Sequence, residues 1–318
     1  MAADAHTEFY RIVAPLAGAG LRRDESLRRY ASFRIGGTAD FLLIPPSVEA
    51  ISLAFSTAKQ LGIPITRLGG GTNLLISDAG VRGLVVRLGR AFDYREWERP
   101  EGHEVSVRTG AASSLGRFVS EAVELGWGGI EFAAGIPGTV GGGALMNAGA
   151  FGGELSSTII GAEGVTLDGD VVGLSRSQLD FSYRRLELDV DVMITSVSFS
   201  LRRAPVVRLK GVVESVQAKR KRKQPSGYPN AGSIFKNPPG NFAGKLIEQA
   251  GLRGTVVGNA QISPDHANFI VNLGGAKAAD VRALMQIVQD GVWQKCGIWL
   301  EPEVKLVGEW NEASAVPS

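Results

Sequence analysis

The chain has 318 residues, 44% hydrophobic and 21% charged, a globular balance with enough length for two or three packed domains. A formal net charge of +2 excludes bulk electrostatic binding of nucleic acid, so any anion must be held by local clusters. Cys296 stands alone, which excludes a disulfide framework or a cysteine-rich metal site within one chain and fits a reducing cytoplasm.

In chain order, the opening residues form a charged leader with Asp4 and Glu8 and no apolar h-region. Nowhere does an uninterrupted apolar run approach about 18 residues, so the chain is expected to be neither exported nor membrane-spanning. Residues 39–44 are predicted as a short strand stopped by Pro45 and Pro46. A helix follows, with Ser47 as N-cap, Val48, Ile51, Phe55 and Ala58 on one face, and Gly62 as terminator. Residues 65–68 form a strand that runs straight into Gly69-Gly70-Gly71-Thr72-Asn73. Another strand is expected at 84–88, then an amphipathic helix through Leu115, Phe118, Val119, Ala122 and Val123 that ends at Gly126.

Glycine then concentrates in Gly135-Ile136-Pro137-Gly138-Thr139-Val140-Gly141-Gly142-Gly143 and Asn147-Ala148-Gly149-Ala150-Phe151-Gly152-Gly153. Residues 165–201 are strand-like, with Val197, Phe199 and Leu201 alternating, and these strands are expected to form one mixed sheet. Pro205 marks a linker, after which Leu209, Val212, Val213 and Val216 give a helix face running into the basic run Lys219-Arg220-Lys221-Arg222-Lys223. The last segment is expected to hold a strand at 233–237, a helix around Leu246 and Ile247, a strand at 268–272, a long helix at 278–296 and strand-like residues at 298–307.

The 42 glycines, nearly twice the usual share of about 7%, need a reason. Glycine-rich turns let backbone N–H groups approach phosphate oxygens closely, because no Cβ intervenes. For the first turn alone, that reading and plain turn geometry are about equal; a second turn tips the balance towards a diphosphate cofactor. Neither turn fits G-x-G-x-x-G. The stretch Gly240-Asn241-Phe242-Ala243-Gly244-Lys245-Leu246 is one residue short of a Walker A loop and lacks its Ser/Thr.

The two glycine segments resemble the FAD-binding domain of the UDP-N-acetylenolpyruvoylglucosamine reductases (UDP-N-acetylmuramate dehydrogenases). Four further segments are similar to that family's signatures in the same order: Ser32-Phe33-Arg34-Ile35-Gly36-Gly37, Phe181-Ser182-Tyr183-Arg184, Ala231-Gly232-Ser233-Ile234-Phe235-Lys236-Asn237-Pro238 and Leu300-Glu301-Pro302-Glu303-Val304. The resemblance spans about 32–307 and, in the short stretch between Arg184 and Pro225, is to the family's shorter type without an inserted tyrosine loop. It implies an α+β fold: a two-part FAD-binding domain of the vanillyl-alcohol-oxidase (PCMH) type at 1–90 and 91–204, and a C-terminal α+β substrate-binding domain at 205–318. The glycine segments alone indicate only the wider fold of FAD oxidoreductases; the Ser233 block and the Glu303 terminus narrow it.

The implied enzyme is a cytoplasmic flavoprotein that uses NADPH and non-covalent FAD to reduce UDP-N-acetylglucosamine enolpyruvate to UDP-N-acetylmuramate in peptidoglycan synthesis. NADPH and the sugar would occupy one pocket in turn. Cofactor contacts would fall to Gly69, Gly70, Gly71, Thr72, Asn73, Leu74, Ile136, Pro137, Gly138, Thr139, Gly141, Gly142, Asn147 and Gly149. The catalytic set would be Arg184, Ser233 and Glu303, with Arg184, Lys236, Asn237 and His266 on the substrate. Hydride addition to the conjugated C=C pushes negative charge onto the carboxylate, which a guanidinium can hold in bidentate fashion, and the second carbon then needs a proton. The resemblance gives the first role to Arg184 and the second to Ser233, with Glu303 hydrogen-bonding the developing charge or assisting the transfer; Lys236 could favour the alkoxide left on Ser233.

Outside that resemblance, an arginine at a strand end is a surface residue, a serine between Gly232 and Ile234 is a turn residue, and His266 is a turn histidine. Glu301, two residues before Glu303, is expected on the same strand face. The basic run 219–223 is expected to be solvated and mildly steering towards a diphosphate. His6, His103, His266 and Cys296 all lie outside the glycine turns, so a covalent flavin link is not expected, and no metal-ligand spacing occurs. Membrane insertion, nucleic acid and an obligatory protein partner are likewise not expected. Two rivals remain: another non-covalent FAD oxidoreductase or oxidase of this fold, and an inert flavin-binding protein.

Overall fold

A computed structural model describes residues 2–221, 225 and 227–310. The chain divides into two compact units, each discontinuous in sequence: Met1–Arg22, Phe41–Gly70 and Gly83–Arg222 form the first, and Arg23–Asp40, Gly71–Arg82 and Lys223–Ser318 the second.

In the first unit, residues expected to be a leader fold as helix α1, Ala2–Ala17. Phe9, Val13 and Ala17, four residues apart, bury one stripe of it against Phe41 and Leu43. Helix α2, Val48–Gln60, starts where expected because the Ser47 side chain accepts from the Ala50 N–H at 3.3 Å. It ends at Leu61, and Gly62 takes the left-handed conformation. Ile51, Ala54, Phe55 and Ala58 join the same core. Strand Ile65–Leu68 runs parallel to Val81–Arg87 in a sheet whose order continues through Thr38–Leu43 to Leu21–Ser26.

A separate antiparallel sheet has the order Val171–Ser175, Ile159–Thr166, Val192–Arg203, Glu104–Gly110, Arg95–Trp97. The single mixed sheet expected from sequence is therefore two sheets, because period-2 patterning shows that a segment is a strand but not which strand it pairs. Helix α3, Leu115–Glu124, covers the antiparallel sheet, with Phe118 and Phe199 ring centroids 4.9 Å apart. Helix α4, Val140–Leu145, lies inside the second glycine segment. Helix α5, Val206–Lys221, was expected to open the last domain, yet it buries Leu209 and Val216 in the core that holds Phe118 and Phe199. Arg222 and Lys223, the end of the basic run, lie outside the described residues.

The second unit packs helices α6, Ala243–Gln249, and α7, Ala278–Cys296, with the three-stranded antiparallel sheet Val256–Val257, Ala260–Ile262, Ile270–Asn272. Asp78 caps α7 by accepting from the Ala278 and Ala279 N–H groups at 2.9 and 3.0 Å. Gly297, at φ 65°, terminates it. Leu74–Ile76 pairs in parallel with Lys305–Val307. Two expected strands shrink here. Residues 233–237 make only an isolated bridge, Phe235 to Pro302, and regular strand at 298–307 is confined to Lys305–Val307.

Candidate active site

In the first unit the two glycine turns meet. A Cβ on Gly70 would come within 2.9 Å of the Gly138 Cα and 3.3 Å of the Thr139 nitrogen, and one on Gly69 would lie 3.7 Å from the Gly142 Cα. Main chain thus faces main chain across a cradle that side chains would fill, which suits the diphosphate of a dinucleotide cofactor. Thr139 caps α4 through its Oγ1, which accepts from the Gly142 N–H at 3.3 Å.

Downstream, Gly149–Ala150 and Gly153–Glu154 pair as a tight hairpin. Its tip, Phe151 and Gly152, has φ of 52° and 86°, the two successive positive values of a type I′ turn. Arg184 sits in the two-residue turn between strands Asp180–Ser182 and Arg185–Glu187. Its own φ is 60°, a conformation that costs a non-glycine residue on the order of 1 kcal/mol. The half-buried guanidinium donates from Nη1 to the Gly149 carbonyl at 2.9 Å, so the arginine is held at the glycine segment rather than left on the surface.

Asn147, 1% exposed, anchors that arrangement. Its Nδ2 donates to Glu154 Oε2 at 2.9 Å and to the Ser182 carbonyl at 3.1 Å, while its Oδ1 accepts from the Ser156 N–H at 3.1 Å. The amide ties the glycine segment to the hairpin that carries Arg184.

Arg220 departs from the solvated run expected at 219–223, because burial takes it partly out of solvent. The structure places its guanidinium beside Gly135, donating to that carbonyl at 3.5 Å, and 5.8 Å from the Phe151 ring. Burial, and then the neighbouring Arg184 guanidinium, hold Arg220 below its ordinary pKa. Two cations crowded together favour an anion between them. The signal was in the sequence, since residues 209, 213, 216 and 220 share a helical face whose first three members are apolar.

The second unit holds Ser233, Lys236, Asn237, His266 and Glu303. Ser233 is half-buried. The residue after it, Ile234, donates to the Asn268 carbonyl at 2.9 Å and accepts from the Glu303 N–H at 2.8 Å. Backbone pairing therefore brings Glu303 alongside the Ser233 segment. The Glu303 carbonyl accepts in turn from Asn73 Nδ2 at 3.0 Å, and the Asn73 carbonyl accepts from the Lys305 N–H at 3.0 Å. Of the residues expected to contact the cofactor, Asn73 and Leu74 also fix this segment.

Gly71, at φ 67°, has a fold role too, because a Cβ there would strike the Tyr30 carbonyl. Lys236 is ion-paired with Glu301, an exposed residue outside any strand, so the common strand face expected for Glu301 and Glu303 does not form. Asn237 Oδ1 accepts from the Ala243 N–H at 3.0 Å at the start of α6. His266 packs edge-on against Phe269, and its Nδ1 accepts from the Asn268 N–H at 3.2 Å.

Residues 39–175 match the model of an FAD binding domain, which with the paired glycine turns defines a flavoprotein oxidoreductase. Residues 224–307 match the C-terminal domain of UDP-N-acetylenolpyruvoylglucosamine reductase. A UDP-N-acetylenolpyruvoylglucosamine reductase of Agathobacter rectalis is 42% identical, over 92% of this chain and 95% of that protein. A second relative of that name, from Symbiobacterium thermophilum, is 44% identical over 91% and 92%. The crystal structure of the UDP-N-acetylenolpyruvylglucosamine reductase from Thermus caldophilus covers 90% of this chain and 99% of its own, with a TM-score of 0.77 and 34% identity. The chain belongs to the UDP-N-acetylenolpyruvoylglucosamine reductase family. It is an NADPH-dependent flavoprotein oxidoreductase with FAD as cofactor, acting in peptidoglycan synthesis.

No helix among the described residues is long and apolar enough to cross a membrane. Among the described residues no cluster of His, Cys, Asp and Glu is suited to a metal ion.

Proposed function

We propose that Arg184, Ser233 and Glu303 carry the reduction of UDP-N-acetylglucosamine enolpyruvate to UDP-N-acetylmuramate in the cytoplasm. The main chain of Gly69, Gly70 and 138–142 would hold the diphosphate of FAD, whose chemistry when bound would be hydride transfer from NADPH to the terminal enolpyruvyl carbon. Arg184 binds the substrate carboxylate and takes up the charge that builds there during hydride addition. The Ser233 O–H bond then breaks and its proton goes to the adjacent carbon, which saturates the former C=C. Glu303 hydrogen-bonds the developing charge or assists this transfer, and His266 and Asn237 are polar contacts to the sugar nucleotide.

The observation that carries this reading is the 2.8 Å bond from the Glu303 N–H to the Ile234 carbonyl, which sets the acid next to the proton donor's own segment. Lys236 is engaged with Glu301, so stabilising a serine alkoxide would require it to share that partner.

The test is Ser233→Ala. It should leave FAD bound and flavin reduction by NADPH near wild type, while reoxidation by the enolpyruvyl sugar slows by about 100-fold or more. Equal slowing of both half-reactions removes Ser233 from the donor role.

A further inference from the structure

Ser233 lies on a segment that is not a strand, yet its position is tightly defined, and the reason is one buried side chain. Phe235 and Pro302 form an antiparallel bridge of the kind whose hydrogen bonds lie on either side of the pair: the Lys236 N–H donates to the Glu301 carbonyl at 2.9 Å, and the Glu303 N–H to the Ile234 carbonyl at 2.8 Å. In that geometry the N–H and C=O of Phe235 point away from Pro302, towards the place a further strand would occupy. Phe235 is 1% exposed, so those groups cannot turn to water. Asn268, 3% exposed, meets both. Its Oδ1 accepts from the Phe235 N–H at 3.0 Å and its Nδ2 donates to the Phe235 carbonyl at 2.8 Å. Its own carbonyl adds a third bond, from the Ile234 N–H at 2.9 Å. A single residue thus replaces one rung of a β-ladder, with two side-chain bonds to Phe235 and one backbone bond to Ile234, the two residues that follow Ser233.

We infer that Asn268 is a positioning residue for this reaction: by pairing its amide with both backbone polar groups of Phe235, it fixes Ser233 on the segment whose other edge holds Glu303. Asn268 touches neither substrate nor cofactor in this role and acts through the Ser233 segment. The inference rests on the proposed assignment of Ser233 as proton donor.

The discriminating variant is Asn268→Asp, which keeps size and one acceptor oxygen but opposes the Phe235 carbonyl with a second oxygen. Ionised, that oxygen repels the carbonyl; protonated, it donates as the amide did, and burial raises its pKa. The neighbouring ionisable groups are His266, whose Nδ1 accepts from the Asn268 N–H, the Lys236–Glu301 pair, and Glu303. The readout is therefore the ratio of variant to wild type at each pH, which cancels their own titration.

With the FAD-loaded protein, reoxidation by UDP-N-acetylglucosamine enolpyruvate should be slower than wild type by about tenfold near pH 9 and recover as pH falls towards about 6, while reduction by NADPH keeps a flat ratio. In a cycle with Ser233→Ala, adding Asn268→Asp should produce little further slowing, since the lost group is the one being positioned. A flat ratio in reoxidation, or fully additive slowing, overturns the inference. A Ser233→Ala variant with normal reoxidation instead overturns the donor assignment on which it rests. Should Asn268→Asp fail to fold, hydrogen exchange on the wild-type holoenzyme decides: the Phe235 amide should be protected as strongly as the amides of α7, and exchange at loop rates contradicts the pairing.

Discussion

The glycine cradle of the first unit and the Ser233 segment of the second achieve fixed backbone by opposite means. In the cradle, main chain approaches main chain because Gly69 and Gly70 present no Cβ to Gly138 and Gly142. Around Ser233 the same end is reached by adding a side chain, the Asn268 amide, that substitutes for a missing strand. Removal of side chains leaves a surface of backbone groups suited to phosphate, whatever the rest of the ligand. A buried amide instead fixes one peptide unit in one orientation, as a proton donor requires. Asn147 shows the second device at work in the first unit, where its amide holds the hairpin that carries Arg184, the residue proposed to bind the substrate carboxylate.

If the contrast is right, the largest effect comes from putting a side chain into the cradle. Gly70→Ala should lower FAD affinity by roughly tenfold to 100-fold, read as flavin absorbance retained on purification and by titration of the apoprotein. Full occupancy would break the cradle half of the comparison. Removing a buried amide should act on stability first. Asn147→Ala orphans the Ser156 N–H and the Ser182 carbonyl, at a cost of about 1–3 kcal/mol in urea unfolding, and should also raise KM for the sugar by loosening the Arg184 hairpin. A loss of stability with unchanged KM would reduce Asn147 to a packing role.

The smallest effect should come from a side-chain pair with no site to hold. Arg108, bonded to Glu163, holds that carboxyl below its ordinary value of 4.5, against the opposing effect of burial. Because the folded pKa is depressed, the contribution is fully present above about pH 4.5 and is lost as pH falls through the lower folded value. Both side chains are more than a third exposed, so Arg108→Gln should cost less than about 1 kcal/mol at neutral pH. The difference from wild type should shrink on acidification, and a difference that grows in acid would reverse the assigned sign.

Which parts were legible follows from the same contrast. Ser47, Gly62 and the apolar spacing mark α2, and 278–296 carries the periodicity of α7, because capping and burial act within a few residues of themselves. The glycine turns were visible as composition, although their mutual contact was not. Helix α1 was missed because its stripe of Phe9, Val13 and Ala17 is thin beside the charges of a supposed leader. The pairing of Val192–Arg203 with Glu104–Gly110, the discontinuous units and the role of Asn268 depend on partners more than 30 residues away, as with its bond to Phe235 at a separation of 33, and no local pattern encodes them. The catalytic candidates were legible only through family resemblance, since Ser233 and Arg184 are ordinary turn residues in isolation.

The most direct test of the central claim is anaerobic absorbance spectroscopy on the purified yellow protein. NADPH is added until the flavin band bleaches, and UDP-N-acetylglucosamine enolpyruvate is then added in known amount. Return of the flavin colour in a one-to-one ratio with the sugar is the predicted result. A band that stays bleached until air enters would contradict the account.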